Sequence, residues 1–306
     1  MGIITKIRKV FFNPFIVIEY IFSKGFFNFL SDKQYIKLKY KCKTGKNLNL
    51  KHMETFNEKL QWLKLYDRNP LYTKLVNKYE VREYIKEKIG EEYLIPIIGC
   101  WDSPEQIDFK KLPEQFVLKS THDSGGVYIV DKNSRNISGQ AKNFFNKRLR
   151  TNYYKISREW PYKYCKRMII AEKKMTDESG NELKDYKLFC FNGQVKLIQV
   201  DFDRFHNHRR NLYTCNWEYI NESIEYPNDN KVQIEKPVVL EEMLNIASKL
   251  SVGLPHVRVD LYVIRERIYF GELTFYHGSG YEKFSSKVME KRLGDCINLD
   301  LAYSVR

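Results

Sequence analysis

The chain has 306 residues, 43% of them hydrophobic, with 52 Lys and Arg against 38 Asp and Glu, a formal net charge of +14. That length suits about two domains, each with its own core, and the lack of repeats or low-complexity tracts calls for a globular protein. The six cysteines are widely spaced with no C-x-x-C pair, which argues against a disulfide framework or a zinc site and favours a reducing compartment.

The charge suits anionic partners: nucleotide phosphates, acidic glycans, an anionic membrane surface or nucleic acid. A solvated lysine-rich surface accounts for part of it, and no nucleic-acid-binding motif accompanies it. Residues 1–32 begin "MGIITKIRKVFFNPFIVIEYIFSKGFFNFL". Asn13, Pro14, Glu19 and Lys24 interrupt the apolar run, so it is neither a signal peptide nor a spanning helix. Aromatics mixed with Lys and Arg suit an anchor lying on a membrane surface. An aromatic helix packed on the domain would read the same way.

Further along, Thr55-x-x-Glu58 is a capping box opening an apolar helix that closes before Asn69-Pro70. Val81, Tyr84, Ile85 and Ile89 recur at helical spacing. "FVLKSTHDSGGVYIV" reads as strand, glycine loop, strand. "KLFCFNGQVKLIQVD" is a hairpin about Asn192-Gly193. Residues 238–250 form an amphipathic helix. Mostly antiparallel strands with peripheral helices make an α+β protein, with boundaries expected at 33–115 for a helical region, 116–172 for a small subdomain and 173–306 for a larger one.

Lys119 ends a strand before Asp123, Ser124, Gly125 and Gly126. Glycines let backbone N–H groups approach phosphate, and an ammonium neutralises it, although a plain hairpin turn carrying a stray lysine would look alike. In "VRVDLYVIRERIYFGELTF" Arg258 and Asp260 share a strand face, as do Ile268, Phe270, Glu272 and Thr274 on the next strand. Asp260 and Glu272 face the same side only if the turn holds an odd number of residues, such as Arg265, Glu266 and Arg267, or if a bulge shifts the register. Two adjacent carboxylates call for a divalent cation, and Arg258 beside them could hold an anion. An Arg–Asp surface pair is the plainer alternative.

The stretches "TFNEKLQWLKLYDRNPLYTKLVNKYEVREYI", "FVLKSTHDSGG", "DYKLFCFNG", "QVDFDRF" and "VRVDLYVIRERIYFGELTFYHGSG" resemble the TupA-like branch of the ATP-grasp superfamily, linked to teichuronopeptide and other cell-surface polysaccharide synthesis. They span roughly residues 33 to 285. The resemblance implies an ATP-grasp fold, two α+β subdomains clasping ATP, with a helical N-terminal region. It implies that Lys78 and Lys119 meet the nucleotide phosphates and that Ser120, Asp123, Ser124, Gly125 and Gly126 belong to the loop closing over the triphosphate. It implies that Glu172 lies near the base or ribose, Lys187 faces the γ-phosphate, Asp260 and Glu272 bind Mg2+, and Arg258 steadies an acyl phosphate. Thr274 stands where the family has a metal-binding Asn, and His277 replaces the Pro of "YPGSG", next to Ser279.

"DFDRFHNHRR" adds Arg204, His206, His208, Arg209 and Arg210, a cationic cluster suited to a substrate carboxylate or sugar phosphate. The leading expectation is an ATP- and Mg-dependent carboxylate–amine ligase of capsular or teichuronic-type polysaccharide biosynthesis. It would work through an acyl phosphate, joining a small-molecule or glycan carboxylate to an amine in the cytoplasm or on the inner membrane face. The alternative is a glycosyltransferase using Asp201 and Asp203 as a D-x-D pair with a nucleotide sugar. A non-catalytic, membrane-bound polysaccharide-binding module is a third reading, which leaves the sheet acids unexplained.

Overall fold

The computed structural model describes residues 14–134, 136–176, 183–203, 207–232 and 234–303. Helices α1 (Pro14–Ser23), α2 (Asp32–Thr44), α3 (Phe56–Tyr66), α4 (Leu71–Val76) and α5 (Val81–Lys88) lead the chain. The expected capping box is present: Thr55 accepts from the Glu58 N–H while Glu58 reaches back to the Thr55 N–H. Ser31 and Gln34 make a second one for α2.

A small antiparallel sheet follows, built from β1 (Ile97–Trp101), β2 (Gln115–Ser120), β3 (Val127–Asp131) and β4 (Ile169–Lys173) in the order β1-β4-β2-β3. Alternation decides its two faces. Phe116, Leu118, Val130, Ile169 and Ala171 pack with Ala141 and Phe145 of α6 (Ile137–Arg150) as one buried cluster. The opposite parity, with Lys119 beside Val127 and Val117 beside Ile129 and Glu172, looks away from that core. β1 precedes residue 116, yet it pairs with β4 and belongs to this sheet.

The larger sheet contains β5 (Asp185–Phe191), β6 (Gln194–Phe202), β7 (Arg209–Tyr213), β8 (Tyr219–Ile220), β9 (Val257–Ile264) and β10 (Arg267–Thr274), in the order β10-β9-β5-β6-β7-β8. Every pairing is antiparallel. Leu188, Ile198, Val200, Val259 and Leu261 share the main core with Leu240, Met243, Ile246, Ala247 and Leu250 of α8 (Leu240–Ser251). The other face carries Asp185, Lys187, Asp201, Arg210, Arg258 and Asp260, all at most 8% exposed.

The β9–β10 hairpin corrects two expectations. Ile264 pairs with Arg267, so the loop holds two residues, Arg265 and Glu266, both at positive φ (49° and 60°) as a type I′ turn requires. The expected three-residue loop is absent. Instead the register shifts between Phe270 and Glu272, leaving Gly271 as the extra residue. Phe270 and Ile268 therefore face the core with Leu261 and Val263, while Glu272 and Thr274 lie opposite Asp260 and Arg258. Phe270 and Glu272 do not share a face. A Cβ on Gly271 would lie 3.0 Å from the Asp260 carbonyl oxygen, which is why a residue without one stands there.

Candidate active site

The two sheets bound a cleft of about 980 Å³ lined by Lys78, Arg82, Lys119, Ser124, Gly125 and Glu172 on one side and by Lys187, Arg258, Asp260, Glu272 and Thr274 on the other. Val127 and Ile129, 45% and 49% exposed, add an apolar wall from β3. Large β-branched side chains exposed on a cleft-facing strand suit the flat face of a base.

On the small-sheet side, Lys119 Nζ lies 2.6 Å from Glu172 Oε2, with Arg82 3.9 Å from the other oxygen. Lys78 Nζ donates to the Asp123 carbonyl at 2.5 Å. The glycine loop is held from within. Ser120 Oγ donates to Asp123 Oδ1 at 2.5 Å, and Arg148 meets Asp123 Oδ2 at 2.7 Å. A Cβ on Gly126 would fall 1.7 Å from Ser120 Oγ. Ser120 and Asp123 are fully buried, so they brace the loop, while Ser124 and Gly125 form its exposed tip.

On the large sheet Arg258 grips Asp260 with two hydrogen bonds, Nε to Oδ1 at 2.6 Å and NH2 to Oδ2 at 2.7 Å. Lys187 donates to Asp260 Oδ2 at 2.8 Å and also to Asp185. Such charge-assisted forks are the stronger class of hydrogen bond. Burial alone would raise the Asp260 carboxyl; Arg258 and Lys187 outweigh it and hold Asp260 below the ordinary carboxylate range. Burial likewise works against the Lys187 ammonium, and Asp185 and Asp260 overcome it. Glu272 is different: its side chain is 45% exposed, with Arg258 NH2 3.6 Å away and the Thr274 hydroxyl donating to it at 3.3 Å.

The network continues. Arg258 NH1 donates to His277 Nδ1 at 2.6 Å, which requires that nitrogen to be unprotonated and leaves the ring proton on Nε2, facing Glu282. Burial lowers the His277 pKa despite Glu282, in keeping with a neutral ring. Burial would raise Glu282; His277 on one side and Arg210 and Arg258 on the other pull it down to about 2. Arg210 then bridges Glu282 at 2.9 Å and Asp201 at 2.8 Å.

Asp260, Glu272 and Thr274 offer only oxygen, the donor set of a hard cation. Among the described residues no three His, Cys, Asp or Glu side chains form a metal cage. Magnesium does not need one, because it is usually held by one or two carboxylates together with substrate phosphates. The lone half-exposed Glu272 beside the paired Asp260 fits that arrangement.

A family model described as TupA-like ATPgrasp matches residues 58–298. The chain belongs to that family. Its fold is accordingly ATP-grasp. No curated protein matches the chain significantly. Among solved structures, an N5-carboxyaminoimidazole ribonucleotide synthetase in its ADP complex is 16% identical over 73% of this chain and 52% of its own, with a TM-score of 0.43. D-alanine–D-alanine ligase from Bacillus anthracis is 17% identical over 76% and 69% (TM-score 0.41). An L-amino acid ligase from Bacillus licheniformis is 15% identical over 73% and 49% (TM-score 0.45). This chain thus spans about half the length of the first and the last.

In this TupA-like chain the cleft brings together Lys78, Lys119, Ser124, Gly125, Glu172, Lys187, Arg210, Arg258, Asp260, Glu272, Thr274 and Ser279. His277 lies behind Arg258, in contact with it. Arg209 begins β7 outside the lining, and Arg204 and His206 lie outside the described residues. The expected shared face of Asp201 and Asp203 is not found. β6 ends at Phe202, Asp203 turns to φ 52°, and Asp201 is buried against Arg210. Sequence reasoning missed Glu159, Tyr153, Tyr162, Arg82, Glu282 and the Val127/Ile129 wall. Only the last left a signal, as alternate positions of "VYIV".

Proposed function

We propose that this protein is an ATP- and Mg-dependent carboxylate–amine ligase working through an acyl phosphate. One observation carries the reading: Lys119 and the glycine-loop tip face Lys187, Arg258, Asp260 and Glu272 across a single cleft. The γ-phosphoryl group of ATP passes to a carboxylate oxygen, releasing ADP. An amine then attacks the acyl carbon, the C–N bond forms and phosphate leaves.

Lys78 and Lys119 hold the triphosphate, Lys187 meets the transferring phosphoryl group, and Arg258 stabilises the oxyanion that develops at the acyl carbon. Ser124 and Gly125 present backbone N–H groups at the loop tip. Asp260, Glu272 and Thr274 are the residues that would hold magnesium, whose chemistry there is to neutralise the triphosphate. The lining has six Lys and Arg side chains against seven Asp and Glu. A tetra-anionic nucleotide is therefore not drawn in by the lining alone, and nucleotide and metal are expected to bind together.

The family description supports a finer reading, in which the carboxylate belongs to a building block of a capsular or teichuronic-type glycan. Peripheral attachment to an anionic membrane fits a second region. Tyr20, Phe26 and Phe29 are 61%, 71% and 79% exposed, and Lys33, Lys37 and Lys41 stand four residues apart as one exposed row on α2. No helix among the described residues is long and apolar enough to cross a membrane.

The test is a nucleotide screen with acidic sugars and amines offered together. ADP and phosphate release from ATP, dependent on both co-substrates, is the expected outcome. UDP release from UDP-sugars would instead favour the glycosyltransferase.

A further inference from the structure

Among the residues lining the cleft is a polar group that the phosphoryl chemistry does not use. Glu159 follows α7 (Tyr153–Ser157), is 6% exposed and lines the cleft. Its Oε1 accepts from Ser279 Oγ at 2.7 Å. Lys64, 1% exposed, donates to the same Oγ at 2.8 Å and to the Ser279 carbonyl at 2.6 Å. The hydroxyl thus takes one bond from Lys64 and gives its proton to Glu159.

The turn that presents Ser279 is costly to make. Gly278, Ser279 and Gly280 run consecutively at positive φ (51°, 56° and 68°), and Gln61 fastens the carbonyls of Ser279 and Gly280 at 3.0 and 2.7 Å. A non-glycine residue kept in that region by its surroundings is a common mark of a functional site.

Tyr153, Tyr162 and Tyr276 line the same stretch of cleft, the first two in edge-to-face contact at 4.9 Å. Both Glu159 and Glu272 act on the Tyr153 and Tyr162 hydroxyls, so this group lies near Glu272. A buried carboxylate among aromatic rings is a setting for a cation. We propose that Glu159, Ser279, Tyr153 and Tyr162 form the subsite for the acceptor, and that the group bound is a primary alkylammonium. This rests on the ligase reading above. Burial lowers the Lys64 pKa to about 7 against the pull of Glu159. Burial raises Glu159 as well, against the pull of Lys64, so a cation arriving from the cleft favours the ionised carboxylate.

The test uses the full chain with Mg2+ and AMP-PNP, observed by saturation-transfer NMR with n-propylammonium, 1-propanol and propionate as probes. The wild type should bind the ammonium and neither of the others. Glu159→Gln should weaken ammonium binding at least tenfold, and Ser279→Ala severalfold, with AMP-PNP affinity unchanged in both. If Glu159→Gln fails to fold, Ser279→Ala decides. Equal ammonium binding by variant and wild type, equal binding of propanol, or no ammonium binding by protein that holds AMP-PNP would overturn the subsite. Failure to bind AMP-PNP at all would instead overturn the ligase reading beneath it.

Discussion

Asp260 sits between two cations, Arg258 and Lys187, and Glu272 does not. Two adjacent carboxylates taken alone would repel, and an amide in place of either would relieve that; the ion pairs to Arg258 and Lys187 reverse the balance for Asp260. Asp260→Asn leaves two buried cations short of a counter-charge and should cost about 3–5 kcal/mol in urea unfolding. Glu272→Gln, half exposed, should stay within about 0.5 kcal/mol of wild type, and both should abolish turnover. Equal stability losses would refute this division. Glu282 makes a pH prediction. Its folded pKa is depressed to about 2 from an ordinary 4.5, so its stabilising effect is complete above the unfolded value and is lost as pH falls through the folded one. Stability should drop between about pH 4.5 and 2, and Glu282→Gln should flatten that drop. Motif residues such as Lys119 and Asp260 were legible because their neighbours in sequence are diagnostic. Glu159 and Glu282 were not: each stands alone among the motifs, and Ser279 and Arg210, which bond to them, are more than 70 residues away, while His277, the near partner of Glu282, is not the residue the family pattern has there.

The Gly271 bulge is the element on which the site depends. Upstream of it the strand sends Ile268 and Phe270 into the core; downstream it sends Glu272 and Thr274 into the cleft. Gly271→Ala should cost about 1–3 kcal/mol through the contact with the Asp260 carbonyl and lower turnover more than Val263→Ala, a change on the same hairpin without that contact. Undiminished activity in Gly271→Ala would show that the bulge is not needed. The sequence demanded either an odd loop or a bulge, but choosing between them needed the backbone. Arg265 and Glu266 carry none of the Asn-Gly chemistry that marks a two-residue turn, whereas Asn192-Gly193 carried it and its hairpin was legible. A lone glycine inside a strand pattern was the available clue.

Across the molecule, two sheets and a helical N-terminal region were readable, but β1 was not separable from the helical stretch around it. Five residues in a loop-rich segment show no period, and only pairing with β4 makes them a strand. At this scale the N-terminal surface can be tested by sedimentation with phosphatidylserine vesicles. Reversing Lys33, Lys37 and Lys41 to Glu should release the protein, each lysine being worth about 1 kcal/mol near such a surface, while AMP-PNP binding stays unchanged. Retention of the triple variant on vesicles would locate the attachment elsewhere. The central claim is that ATP activates a carboxylate by phosphorylating it, and 18O transfer tests it most directly. With an acidic co-substrate labelled in its carboxylate and an amine acceptor present, the account predicts 18O in the phosphate released alongside ADP. Phosphate free of the label under turnover would contradict it.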